Sequence, residues 1–61
     1  MARWVQLTTN DDQKLPLLVN LENATYLRPR EPGTRIYFGT NDYADVLEEP
    51  DAIIKKKPID L

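Results

Sequence analysis

Apolar and polar residues alternate with a period of two along most of this chain before position 48. In Arg3-Trp4-Val5-Gln6-Leu7-Thr8, Val5 and Leu7 fall on one side and Trp4, Gln6 and Thr8 on the other, the pattern of a half-buried strand. Thr9-Asn10-Asp11-Asp12-Gln13-Lys14 is polar and turn-prone, which suits a loose hairpin loop. Leu15, Leu17, Val19 and Leu21 then occupy alternate positions and predict a second strand, with Pro16 at its beginning or at an edge. Asn20-Leu21-Glu22-Asn23 reads either as one helical turn capped by Asn20 or as a bend. Ala24-Thr25-Tyr26-Leu27-Arg28 predicts a third strand, and Pro32-Gly33 the centre of a type II turn within the segment 29–34. Thr34-Arg35-Ile36-Tyr37-Phe38 alternates most clearly, Gly39-Thr40-Asn41-Asp42 suits a tight hairpin, and Tyr43-Ala44-Asp45-Val46-Leu47 predicts a fifth, weaker strand.

After position 48 the period changes. In the segment 48–57, Pro50 stands at a first helical position, with acids before it and lysines toward the end, matching the helix dipole. Pro58 ends the segment. So short a helix needs Ile53 or Ile54 docked on the sheet to persist. These elements give a mainly β fold: a small antiparallel five-stranded meander, or an SH3-like partly open barrel, with a short C-terminal helix. One small β domain is expected over residues 1–57, with 58–61 as a frayed tail.

Composition narrows the chemistry. The 61 residues include no Cys, no His and no Ser, so Ser-His-Asp and Cys-His nucleophile systems and Cys- or His-based zinc sites cannot be assembled from them. Carboxylates, lysines and tyrosines remain, on a chain too short to wall off a deep pocket. No catalytic residue, cofactor, metal or small-molecule substrate is expected. Apolar residues make up 41% and charged residues 30%, which is ordinary for a globular domain. The longest apolar run is too short for a membrane span or a signal-peptide core, and a cytoplasmic location is expected. A domain of this length buries only about 60% of its unfolded surface, so self-association is a serious expectation.

One surface stands out. Tyr26 and Arg28 share a parity on the third strand, Arg35 and Tyr37 share one on the fourth, and the two strands are hairpin neighbours. With Arg30 and Trp4 they form the candidate interaction face, because Tyr, Trp and Arg dominate interface hot spots. A protein partner or a second copy, giving a homodimer, is the leading expectation. Rings beside guanidinium groups also suit single-stranded nucleic acid, although the net charge of −2 weighs against it. The plainer alternative is that the tyrosines shield the sheet and the arginines pair with nearby acids. Charge is also segregated: Asp42, Asp45, Glu48, Glu49 and Asp51 contrast with the arginines between 28 and 35. Such runs are most often solvated surface.

The sequence Val19-Asn20-Leu21-Glu22-Asn23-Ala24, then Gly33-Thr34-Arg35-Ile36, then Val46 with Glu48 and Glu49 and finally Ile53, resembles a group of short bacterial proteins that includes the small flagellar FlbD-like proteins. The resemblance covers roughly positions 4 to 54 and consists mostly of apolar periodicity and turn residues. It implies an uncharacterised type of bacterial cytoplasmic protein without known catalytic residues, and it transfers no site.

Overall fold

The computed structural model describes residues 2–60. Leu61, at the end of the expected tail, lies outside them. Five antiparallel strands fall into two sheets, followed by a short helix. Strands β1 (Trp4–Thr8) and β2 (Pro16–Asn20) form the first sheet. β3 (Tyr26–Pro29), β4 (Thr34–Gly39) and β5 (Asp42–Val46) form the second, and α1 spans Pro50–Lys55. The expected single five-stranded meander is not formed, and the strands do not close into a barrel.

The break between β2 and β3 has a local cause. Leu21–Asn23 is a 3-10 turn capped by Asn20, whose side-chain oxygen accepts from the Glu22 and Arg3 amides. The chain leaves β2 through this turn instead of doubling back beside it. The other side of β1 instead meets the exit of β5. Thr9 and Val46 form an isolated antiparallel bridge, the Leu47 amide donates to the Thr8 carbonyl, and the Asn10 amide donates to the Asp45 carbonyl.

Each loop has an identifiable organiser. Asp11 Oδ1 accepts from the Gln13 and Lys14 amides and the Thr9 hydroxyl, holding the β1–β2 loop, in which Lys14 has φ of 50°. The β3–β4 connection differs from the expected type II turn. The Glu31–Pro32 peptide is cis, so Pro32 occupies the third position of the Arg30–Gly33 turn, and the Arg30 amide donates to the Gly33 carbonyl. Gly33 does adopt the expected positive φ, at 93°.

Alternation correctly places the core. Val5, Leu7, Val19, Ile36 and Val46 are buried from the two inner faces, and Ile53 of α1 joins them. Ile54, the other docking candidate, is exposed. Leu17, Leu21, Ala24, Leu27 and Phe38 pack around this centre. Leu15, expected to share the inner side of β2, lies before the strand and is exposed. The tail is tied at one point, where the Ile59 amide donates to the Trp4 carbonyl.

The corner joining the sheets is built from polar groups. The Glu48 carboxylate accepts from the amide and hydroxyl of Thr8, at 3.0 Å each, while its backbone carbonyl accepts from the buried Thr34 hydroxyl at 2.7 Å. Beside it, a Cβ on Gly33 would lie 2.0 Å from the Val46 carbonyl oxygen. Gly33→Ala combines that overlap with an unfavourable φ and is expected to cost at least about 2 kcal/mol in urea unfolding. Glu48→Ala leaves the Thr8 amide without its acceptor, and a loss of about 1–3 kcal/mol is expected in the same measurement. A change below about 0.5 kcal/mol in both variants, the range of ordinary surface substitutions, would show that the corner does not hold the sheets together.

Candidate interaction face

The register of the three-stranded sheet decides which side chains share its outer surface. Tyr26 pairs with Tyr37 across β3 and β4, and Tyr37 with Tyr43 across β4 and β5. One row along the hydrogen-bonding direction is therefore tyrosine throughout. The Tyr26 and Tyr37 rings stack with centroids 4.5 Å apart and an interplanar angle of 20°, and Tyr43 leans toward Tyr37 at 5.9 Å. Offset and tilted arrangements of this kind are favourable for aromatic rings. Tyr26 and Tyr43 are each about half exposed, at 51% and 49%, so the row is open to contact at both ends.

The next row is charged. Arg28 lies opposite Arg35, and Arg35 opposite Asp45. Like charges facing across a pair of strands destabilise it, so Arg35 needs an acid on its other side. Asp45 is that acid: Arg35 Nε and Nη2 donate to its two carboxylate oxygens at 2.7 and 3.1 Å. The same guanidinium lies 4.0 Å from the centre of the Tyr43 ring, a cation–π contact. The Arg35 hydrogen bonds hold the Asp45 carboxyl below its ordinary range against the opposing effect of desolvation, and raise the Arg35 guanidinium above its own.

Of the expected face, Tyr26, Arg28, Arg35 and Tyr37 are brought together. Arg30 follows β3 at the hairpin turn, where Pro29, Arg30, Glu31, Gly33 and Glu49 line a shallow groove. Among the described residues the Arg28 and Arg30 side chains make no hydrogen bond. Trp4 is elsewhere: it stands on β1 and lines a separate groove with Leu18, Phe38 and Ala44. Tyr43 and Asp45 were missed as members of the face. The Gly39–Asp42 hairpin signals that β5 folds back on β4, but Tyr43 comes opposite Tyr37 only through the bulge between Tyr37 and Gly39, which the residues alone do not indicate.

The acidic run is dispersed by the fold. Asp45 is held by Arg35 and Glu48 by Thr8, so neither is free surface charge. Among the described residues no three acidic side chains converge as metal ligands. No helix is long and apolar enough to cross a membrane among them. The chain matches no family model, no curated protein and no solved structure.

The depressed Asp45 ionisation is a stability term with a defined sign. It contributes at pH values above the ordinary carboxylate range and is lost as pH falls through the lowered folded value, because the unfolded state then binds the proton more readily. Asp45→Asn is therefore expected to lower stability at pH 7 by about 1 kcal/mol, the scale of a solvent-screened ion pair whose side chains are only partly buried. Below the lowered Asp45 value the two proteins should converge. Urea titrations at both ends of the acid range check this, and an unchanged gap would show that the pair contributes no ionisation-linked stability.

Proposed function

We propose that this domain is a non-enzymatic protein-interaction module of a bacterial cytoplasmic protein, and that its contact surface is the outer face of β3, β4 and β5. The observation that carries the reading is the tyrosine row Tyr26-Tyr37-Tyr43, exposed at both ends, with Arg28 in the next row and Arg30 at the adjoining hairpin turn, neither making a side-chain hydrogen bond among the described residues. A rigid aromatic strip costs little side-chain entropy on binding, and flanking guanidinium groups supply directed hydrogen bonds to a partner's carboxylates or carbonyls. Within this reading the two sheets are halves of an SH3-like partly open barrel in the order β2-β1-β5-β4-β3. The Thr9–Val46 bridge supports that order, and the open seam falls between β2 and β3.

Single-stranded nucleic acid is the second reading, favoured by the same free arginines. Two features make it weaker. Tyr26 and Tyr37 already stack on each other and leave less ring face for bases, and the Arg35 charge is neutralised by Asp45.

Affinity capture with the full chain tests the proposal. Wild type should retain a defined protein that Tyr26→Ala and Arg28→Glu each release, with affinity reduced at least about tenfold, the effect of losing a hot-spot side chain. Both variants change exposed side chains, so circular dichroism should remain that of wild type. Capture unaffected by either substitution removes the face from consideration. Binding of mixed oligonucleotides that weakens steeply with salt and vanishes in Arg28→Glu would favour the second reading.

A further inference from the structure

The tyrosine face is not the only surface left without a partner, and the second lies along a strand edge. β2 pairs with β1 alone. The Thr9 amide donates to the Leu15 carbonyl and the Leu21 amide to the Arg3 carbonyl, so the odd-numbered positions of β2 direct their backbone groups toward β1. By the alternation of an antiparallel ladder, Pro16, Leu18 and Asn20 direct theirs outward. That edge is uncharged from Leu15 to Leu21 and exposes Leu15 and Leu18, which are 50% and 47% accessible. Natural edge strands are usually guarded by charge, proline or a covering element. The outer edge of β3 has such guards in Arg28, Pro29 and the adjacent α1. β2 has only Pro16, at its first position.

We propose that the open edge of β2 pairs antiparallel with β2 of a second copy, about a two-fold axis through Leu18. The edge is complementary to itself in this register. Leu18 exchanges both backbone hydrogen bonds with the partner's Leu18, and each Asn20 amide donates to the opposite Pro16 carbonyl. Pro16 has no amide to return, so the Asn20 carbonyl opposite it is left to solvent at the end of the ladder; the cap bond of Asn20 is made by its side-chain oxygen, which accepts from the Glu22 amide. No outward amide is left over. A one-step shift of register would set the outward groups of one edge against inward groups of the other.

Side chains agree with the backbone. A groove of about 230 Å³ runs along this edge, lined by Trp4, Leu18 and Val19 together with Phe38 and Ala44 from the other sheet. A strand continuing the β1–β2 sheet would place the inward side chains of the second copy, Leu17 and Val19, against Phe38 and Ala44. The partly buried Leu17 would then be covered. The absence of charge removes the repulsion that two like edges normally present, and a two-fold contact of this kind closes on itself. This pairing is independent of the tyrosine face.

Cysteine cross-linking of the full chain reads the register directly, because the chain has no cysteine of its own. At the axis, Leu18 Cα atoms of the two copies would be about 5.5 Å apart, within the roughly 4.4–6.8 Å that a disulfide spans. Two Asn20 Cα atoms would be roughly 14 Å apart, four residues along at about 3.4 Å each. Leu18→Cys is expected to form a covalent dimer on mild oxidation and Asn20→Cys to form little. In sedimentation, wild type should dimerise with rising concentration, and Leu18→Lys should remain monomeric with an unchanged circular dichroism spectrum. Gln6→Lys, on the same outer side but on the inner strand β1, should still dimerise. A wild type that stays monomeric at about 1 mM overturns the proposal. Equal cross-linking by the two cysteine variants also overturns it. So does amide-exchange protection at Leu18 and Asn20 that appears only on adding an unrelated extended peptide, which would assign the edge to a different protein.

Discussion

Two small sheets that share almost no ladder must be joined at one place, and here that place is the corner around Glu48. The carboxylate of Glu48 satisfies the end of β1, its carbonyl satisfies the start of β4 through Thr34, and the Leu47 amide closes onto Thr8. Gly33 allows the β3–β4 hairpin to come against the β5 backbone with no side chain intervening. The apolar core lies between the sheets, but hydrophobic burial is non-directional and does not set their angle. The directional bonds at the corner do. Once they are made, Val5 and Leu7 face Ile36 and Val46, and Ile53 closes one end.

That corner also determines what is left exposed. With β1 occupied by β2 on one side and by the β5 exit and the tail on the other, its main-chain groups are largely spent. The unspent ones lie on β2, because the Asn20-capped turn carries the chain away before β3 can pair with it. The outer face of the second sheet is likewise uncovered, since α1 is too short to cross it and sends Ile53 into the core. Tyrosines suit such a half-covered face: their rings shield the ladder while their hydroxyls stay wet. Arg35 is part of that shield, fixed between Asp45 and Tyr43, whereas Arg28 and Arg30 are not fixed by any side chain.

Local features were legible where local physics decides them. Period-two alternation located β1, β2, β4 and the buried Val5, Leu7, Val19 and Ile36. Pro50 as a first helical residue and Gly33 as a positive-φ position follow from backbone chemistry within a few residues, whereas the Asn20-capped turn was one of two alternatives that the local residues left open. The division into two sheets was not legible, because it depends on which of two edges β1 offers to β5, a contact across nearly forty residues of chain. Glu48 looked like one acid in a solvated run, and nothing beside it in sequence indicated that Thr8 would need its carboxylate. Trp4 was grouped with the tyrosines by residue type, but it belongs to the other sheet. Tyr43 and Asp45 were the converse case: their strand was recognised, but its register across the Tyr37–Gly39 bulge is fixed only in three dimensions.

The two uncovered surfaces differ in the kind of recognition they permit. A face of rings and guanidinium groups discriminates by side chains, so it can be selective for one partner among many. An uncharged strand edge offers repeating main-chain groups and discriminates mainly by register. Such an edge would be a liability unless something restricts what may pair with it. Here the restriction is Pro16, which removes a donor at one end of the edge. Any strand placed on this edge must leave one of its carbonyls without a donor at Pro16. In a second β2 that carbonyl belongs to Asn20, the last residue of the strand, so the loss falls at the end of the ladder and not within it.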